Sequence, residues 1–299
     1  MTMEHFQLKS HDLAVCKACN NGDWRLRSGF LCMILVAGMA GQDVRAQGAA
    51  KGQVLKPTVA VHKNGEAAAA VQRLSIADDV LEQTQRVFKF YLQILLDVEV
   101  DKSRARKSEA ISLVSSNIDK LRKEKLSPAE VNLLTEIDTV WSGMLRSLSS
   151  DPNPDALARL IPLNDRLLDN AEKLTQLMSK ELKSGDLMHL IGHQEMLIQR
   201  IARNYYLYHA GYKTTEVRGA VQSLLERFVA VEEQLYEFSS SEPKFKSNIE
   251  LVHIQVIFLK NAVQSMEKAG KPEWVTMSKL SDRLREVLHT LRLAVEKAN

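Results

Sequence analysis

The sequence predicts an all-α fold: two tandem up-and-down four-helix bundles stacked end to end, behind a cleaved signal peptide. Three observations lead there. Apolar residues recur at three- and four-residue spacing through residues 73–299, with no alternating strand pattern between turn signals. Helix breakers fall at regular intervals. The two halves of that region also resemble each other.

Taken in order, Arg25 and Arg27 precede an apolar run over 29–41, and Val44-Arg45-Ala46 follows. A charged segment, a short apolar segment and a small-x-small site describe a secretory signal cleaved after Ala46, with a long leader upstream. A spanning helix needs about 20 apolar residues, and this run is shorter. Residues 47–72 lack apolar periodicity and read as a flexible lead-in. Ser75 with Asp78 resembles a capping box opening a first helix that ends near Val100. A second helix, over about 103–125, carries Ile111, Val114, Ile118 and Leu121. Ser127-Pro128-Ala129-Glu130 supplies a cap, a first-turn proline and an acidic residue for a third. Asp151-Pro152-Asn153-Pro154 stops the third and caps a fourth, which reaches about Lys183. Ser184-Gly185-Asp186 opens the fifth. Breaks near 211–215, 239–243 and 270–272 divide the remainder into three more helices. Eight helices of roughly 20 to 28 residues result, each about 30 to 40 Å long.

The internal resemblance has three parts. Gln85-Arg86-Val87-Phe88-Lys89-Phe90-Tyr91 parallels Gln199-Arg200-Ile201-Ala202-Arg203-Asn204-Tyr205 at an offset of 114. Leu163-Asn164-Asp165-Arg166-Leu167 parallels Leu280-Ser281-Asp282-Arg283-Leu284 at 117, and Pro154-Asp155 parallels Pro272-Glu273 at 118. Three matches in order at nearly constant offset favour duplication, with bundles over 73–183 and 184–299. The fourth helix runs almost into the fifth, hence the expected end-to-end stacking.

Charge and cysteine usage narrow the function. Forty Lys+Arg against 37 Asp+Glu give a net charge of +3, too even for a nucleic-acid surface. All 3 cysteines, Cys16, Cys19 and Cys32, precede Ala46, so no disulfide would hold the mature chain. The lone Cys16-x-x-Cys19 pair is weak evidence for zinc or redox chemistry. No Gly-rich phosphate loop, GxSxG elbow or HExxH motif occurs. Enzymatic activity is therefore not expected, nor any cofactor. Asp78-Asp79 and Glu232-Glu233 are sequence neighbours that read as solvated charges. His189 and His193, four apart, could face one metal ion, but no carboxylate completes a familiar ligand set.

The helix around 192–208, GHQEMLIQRIARNYYLY, is the most informative segment. Leu187, Leu190, Ile191, Leu197, Ile201, Tyr205, Tyr208 and Tyr212 form a seam that Gln194 interrupts. Gln199, Arg200, Arg203 and Asn204 flank it, and Tyr206 lies off it as a candidate contact surface. Gly192, Gln194, Met196, Leu197, Gln199, Arg200, Ile201, Ala202 and Tyr205 resemble the signature of PilJ-type sensory modules. These are the N-terminal domains of type IV pilus methyl-accepting chemotaxis transducers, related to the input domain of nitrate/nitrite sensor kinases. The likeness is close in the second half and degenerate in the first.

That resemblance implies a periplasmic sensory domain in chemotaxis or signal transduction, handing its bound state to a separate membrane receptor or kinase, with a homodimer as the family's habit. It makes Gly192, Gln194, Glu195, Gln199, Arg200, Arg203 and Tyr206 the candidate ligand-binding residues for a small molecule. In the nitrate sensors an arginine three residues after the helix glycine holds the anion. Glu195 stands there in this sequence and would repel nitrate. An exposed Glu195 would suit a cation or a partner's arginine. Arg200 reads most simply as an interhelical salt bridge fixing register. The other reading is a periplasmic interaction or scaffold protein whose small-anion site has been lost.

Overall fold

The structure is a computed structural model that describes residues 65–180, 187–239, 243–267 and 273–298. The leader, the cleavage point after Ala46, the three cysteines and the breaks at 184–186 and 270–272 lie outside the described residues. Among the described residues every regular element is helical: α1 (Gly65–Leu95), α2 (Val100–Leu121), α3 (Pro128–Leu148), α4 (Pro154–Ser179), α5 (Leu187–His209), α6 (Thr214–Ser239), α7 (Lys246–Gln264) and α8 (Trp274–Ala298), with 3-10 turns at Pro243–Phe245 and Ser265–Glu267. No helix among them is long and apolar enough to cross a membrane.

Local chemistry explains several boundaries. Ser127 and Glu130 close a capping box at the start of α3, with Pro128 in the first turn, where its missing N–H costs nothing. Asn153 accepts from the Ala156 N–H at 2.9 Å to cap α4 ahead of Pro154. The start of α1 differs from expectation. The helix begins at Gly65, inside the stretch expected as lead-in, and Ser75 and Asp78 lie mid-helix. An alanine run favours helix there, and Ala70, Leu74, Ala77 and Leu81 already face the core.

The turns after α1 and α5 share one construction. Leu96, Asp97 and Val98 donate to the carbonyls of Leu92, Ile94 and Gln93, as Ala210, Gly211 and Tyr212 do to Tyr206, Tyr208 and Leu207. Positive φ falls at Asp97 (59°) and Glu99 (43°) and again at Gly211 (80°) and Lys213 (40°). Each corresponding pair is 114 residues apart.

Helix pairing repeats likewise. α1 packs on α2, α4 and α5, and α5 packs on α6, α8 and α1; α3 joins α4, and α7 joins α8 and α6. Trp141 of α3 reaches Ser115 of α2 at 3.0 Å. The expected end-to-end stacking is corrected here. Asp78 lies against Gly192, Phe88 under the Arg203 guanidinium, and Gln93 on Tyr206, so α1 and α5 run parallel and in register. The halves therefore meet side by side, and all described residues belong to one compact unit. A single apolar core runs through both, from Val114 and Trp141 through Phe88, Leu197 and Tyr205 to Phe228 and Leu288. Burial of that one seam gives α1 and α5 more contact than an end-on junction would offer.

Candidate functional site

A helix in contact with α1, α6 and α8 has little free surface, and this decides where the residues of α5 go. Gln194 is fully buried and donates to the Phe228 carbonyl at 2.7 Å. Gln199 is equally buried and donates to the Ser281 carbonyl at 3.3 Å. Gly192 lies tight against α1: a Cβ there would stand 2.9 Å from the Asp78 carboxylate. Tyr206, expected as a contact surface, is buried. It donates to the Trp274 carbonyl at 2.7 Å and accepts from Gln93 at 2.9 Å. Burial raises its phenol pKa further than hydrogen bonding lowers it.

Glu195 is corrected in the same way. It is 1% exposed and meets Arg292 of α8 at 3.0 Å and His289 at 3.4 Å. Burial pushes its carboxyl up, with His289 and Arg292 pulling against it. Arg292 also holds Asp79 at 2.9 Å, and Glu82, likewise buried, takes Arg285 at 2.7 Å. Asp78 and Glu232 are thus not solvated as expected. Asp78 is buried beside His189 at 3.7 Å, burial raising its pKa, and Glu232 is buried against His253 at 2.8 Å. Single-sequence patterning missed this because the partners come from other helices: α8 brings Arg292 and His289 to Glu195, α5 brings His189 to Asp78, and α7 turns His253 back onto Glu232.

His189 and His193 lie with ring centroids 6.5 Å apart. Burial and then the nearby Arg227 hold the His193 imidazole down at about 4. Among the described residues no group of three or more His, Cys, Asp or Glu side chains is placed to hold a metal.

The second half of α5 is different. Arg200 reaches across to Glu172 of α4 at 2.7 Å, the interhelical bridge its position suggested. Arg203 is only 6% exposed. Its Nε and Nη2 donate to Asn204 Oδ1 at 3.1 and 2.7 Å, and its guanidinium lies 5.7 Å from the Phe88 ring centre. Its Nη1 makes no hydrogen bond among the described residues and stands 3.7 Å from Asp165. Desolvation, then repulsion from Arg200, lowers its pKa to about 10, against the pull of Asp165. Both arginines face a cleft of about 230 Å³ between α4, α5 and the start of α6. Asp165, Lys213 and Glu216 supply further charge on its lining, and Phe88, Ile161 and Leu207 an apolar wall. Of the seven candidates, then, Arg200 and Arg203 share a cleft, while Gly192, Gln194, Glu195, Gln199 and Tyr206 lie in the interior. Asp165, Lys213 and Glu216 escaped the sequence reading because three different helices and turns supply this cleft.

No family model matches this chain, and no curated protein or solved structure does.

Proposed function

We propose that this chain is a PilJ-like sensory or ligand-binding module, built from two copies of which the first is degenerate. In this reading it is exported to the periplasm through a cleaved signal peptide and passes its bound state to a separate membrane receptor or kinase. One observation carries the proposal: a cleft of about 230 Å³ opens onto Arg200 and Arg203 on the helix that bears the family-like signature. The mixture of apolar wall with a few charges suits a small molecule. A ligand there touches α4, α5 and α6 together, so it favours whichever packing of those helices closes on it. Nitrate at the Glu195 position is not part of the reading, because an ion pair with Arg292 already fills that position. No reaction is assigned to the chain.

The scaffold reading draws on a second observation. Ile254, Ile257 and Phe258 stand about half exposed on one face of α7, an apolar stripe suited to a partner protein or a second copy. A ligand screen and a pull-down on the purified protein separate the readings, and cell fractionation tests the location they share. A thermal-shift screen of inorganic anions, amines, amino acids and organic acids is expected to yield a ligand that raises Tm by mass action. Cell fractionation is expected to place the protein in the periplasm. A flat screen together with a stable protein partner in pull-down favours the scaffold, and a cytosolic location sinks both readings.

A further inference from the structure

The cleft has a filled counterpart where α1 meets α2 and α8. Lys89 of α1 is fully buried and bonds to Asp282 of α8 at 2.8 Å and to Ser281 at 3.3 Å. Arg106 of α2 pairs with the other oxygen of Asp282, and Lys102 stands 4.0 Å away. At the offset of 114 that relates the two turns, Arg203 takes the place of Lys89, Ala220 that of Arg106 and Glu216 that of Lys102. At the 117 offset, Asp165 takes the place of Asp282. The same arrangement of helices thus brings a buried cation to an aspartate twice, α1 to α8 and α5 to α4.

The two copies then diverge. In the first, a carboxylate sits directly on the buried cation and a long arginine side chain fills the space beside it. In the second, Asp165 has withdrawn to 3.7 Å and its side chain is 61% exposed. Arg203, buried as deeply as a charge of this kind usually is only when paired, keeps one nitrogen without a hydrogen bond. Ala220 replaces the arginine stem, and the cleft occupies the space beside it. The first turn of α6 borders the cleft, where the positive end of the helix dipole favours negative charge, with Glu216 opposing it.

We propose that this cleft binds a small organic carboxylate. Its carboxylate rests on Arg203 as Asp282 rests on Lys89, and its apolar body takes the volume that the Arg106 stem takes in the first half. Guanidinium to carboxylate is a charge-assisted contact, strongest where water is excluded, as it is around a side chain this buried. Phe88, Ile161 and Leu207 receive the body. The inference rests on the ligand-binding reading above and names the ligand class for it.

Three molecules with one branched carbon skeleton test it: leucine, isocaproate, which lacks the ammonium, and isoamylamine, which lacks the carboxylate. With the purified full chain, leucine or isocaproate or both raise Tm and isoamylamine does not. Arg203→Lys weakens binding by calorimetry at least about tenfold, because a lysine ammonium does not reproduce the directed contact from Nη1 while Nε and Nη2 stay on Asn204. Ala220→Arg, at an exposed position, restores the first half's plug and abolishes binding while its ligand-free Tm matches or exceeds the parent's. The proposal is overturned if neither carboxylate shifts Tm, if the amine does as well as they do, or if Ala220→Arg binds normally. A different ligand from the wider screen that binds Ala220→Arg unchanged removes this site and leaves the sensory reading standing. Carboxylate binding as described in a protein confined to the cytosol does the reverse.

Discussion

Buried charge at single positions controls much of the behaviour expected of this protein. Glu195 stands 1% exposed with its carboxylate on Arg292. Removing one member of such a pair leaves the other charged and desolvated, at a cost of about 3 to 5 kcal/mol. Asp79 remains on Arg292 and softens the loss. Glu195→Ala is therefore expected to lose roughly 3 kcal/mol in urea denaturation, and a loss below about 1 would contradict the burial assigned to it. His193 supplies a pH dependence. Its imidazole is held at about 4 against an ordinary 6.5, so the unfolded chain takes up the proton first as pH falls. Stability is lost between those two values. The full difference is worth at most about 3 kcal/mol, and partial exposure of the ring reduces it to roughly 1 to 2. The stability advantage of the parent over His193→Gln should shrink by that amount between pH 6.5 and 4, measured by urea titration. A gap that does not change with pH would mean that the ring protonates freely in the folded state.

Elements matter here through the pair α1 and α5. Their parallel, in-register contact puts Gly192 on Asp78 and Tyr206 on Gln93, and it converts two amphipathic helices into helices buried on most sides. A polar residue on such a helix has to find a protein partner. Gln194, Gln199 and Glu195 each find one on α6 or α8. The unusual polar run on the signature helix is thus explained largely by packing, and the ligand reading moves down the helix to Arg200 and Arg203. Their cleft exists because α6 places Ala220 where α2 places Arg106. The signal was present in the sequence as Arg106 and Ala220 at the repeat offset, but only knowledge of what surrounds Lys89 gives that difference a meaning.

At the scale of the whole molecule, the side-by-side junction makes the halves interdependent. Ion pairs cross between them: Lys89 to Asp282, Glu82 to Arg285, Asp79 to Arg292, Arg203 to Asp165 and Arg200 to Glu172. One apolar core spans the junction. Unfolding should therefore be one cooperative transition, since neither half keeps its central helix covered without the other. Trp141 reports on the first half and Trp274 on the second. Single-tryptophan variants retaining one or the other are expected to show coincident urea midpoints by fluorescence, whereas separated midpoints would mean the halves fold as independent bundles.

Periodicity, breakers and caps sufficed to read the helical class, because those signals act within a few residues of where they occur. Ser127 with Glu130 and Asn153 with Pro154 were legible for that reason. The start of α1 was not, since the alanine run there has helix propensity but no apolar periodicity, and burial of Ala70 and Leu74 adds to that propensity. Side-by-side joining, the burial of Glu195 and Tyr206, and the opening at Arg203 were decided only by the tertiary structure. Each depends on charges and side chains from helices distant in sequence, and a one-dimensional pattern carries no record of which of them will be neighbours.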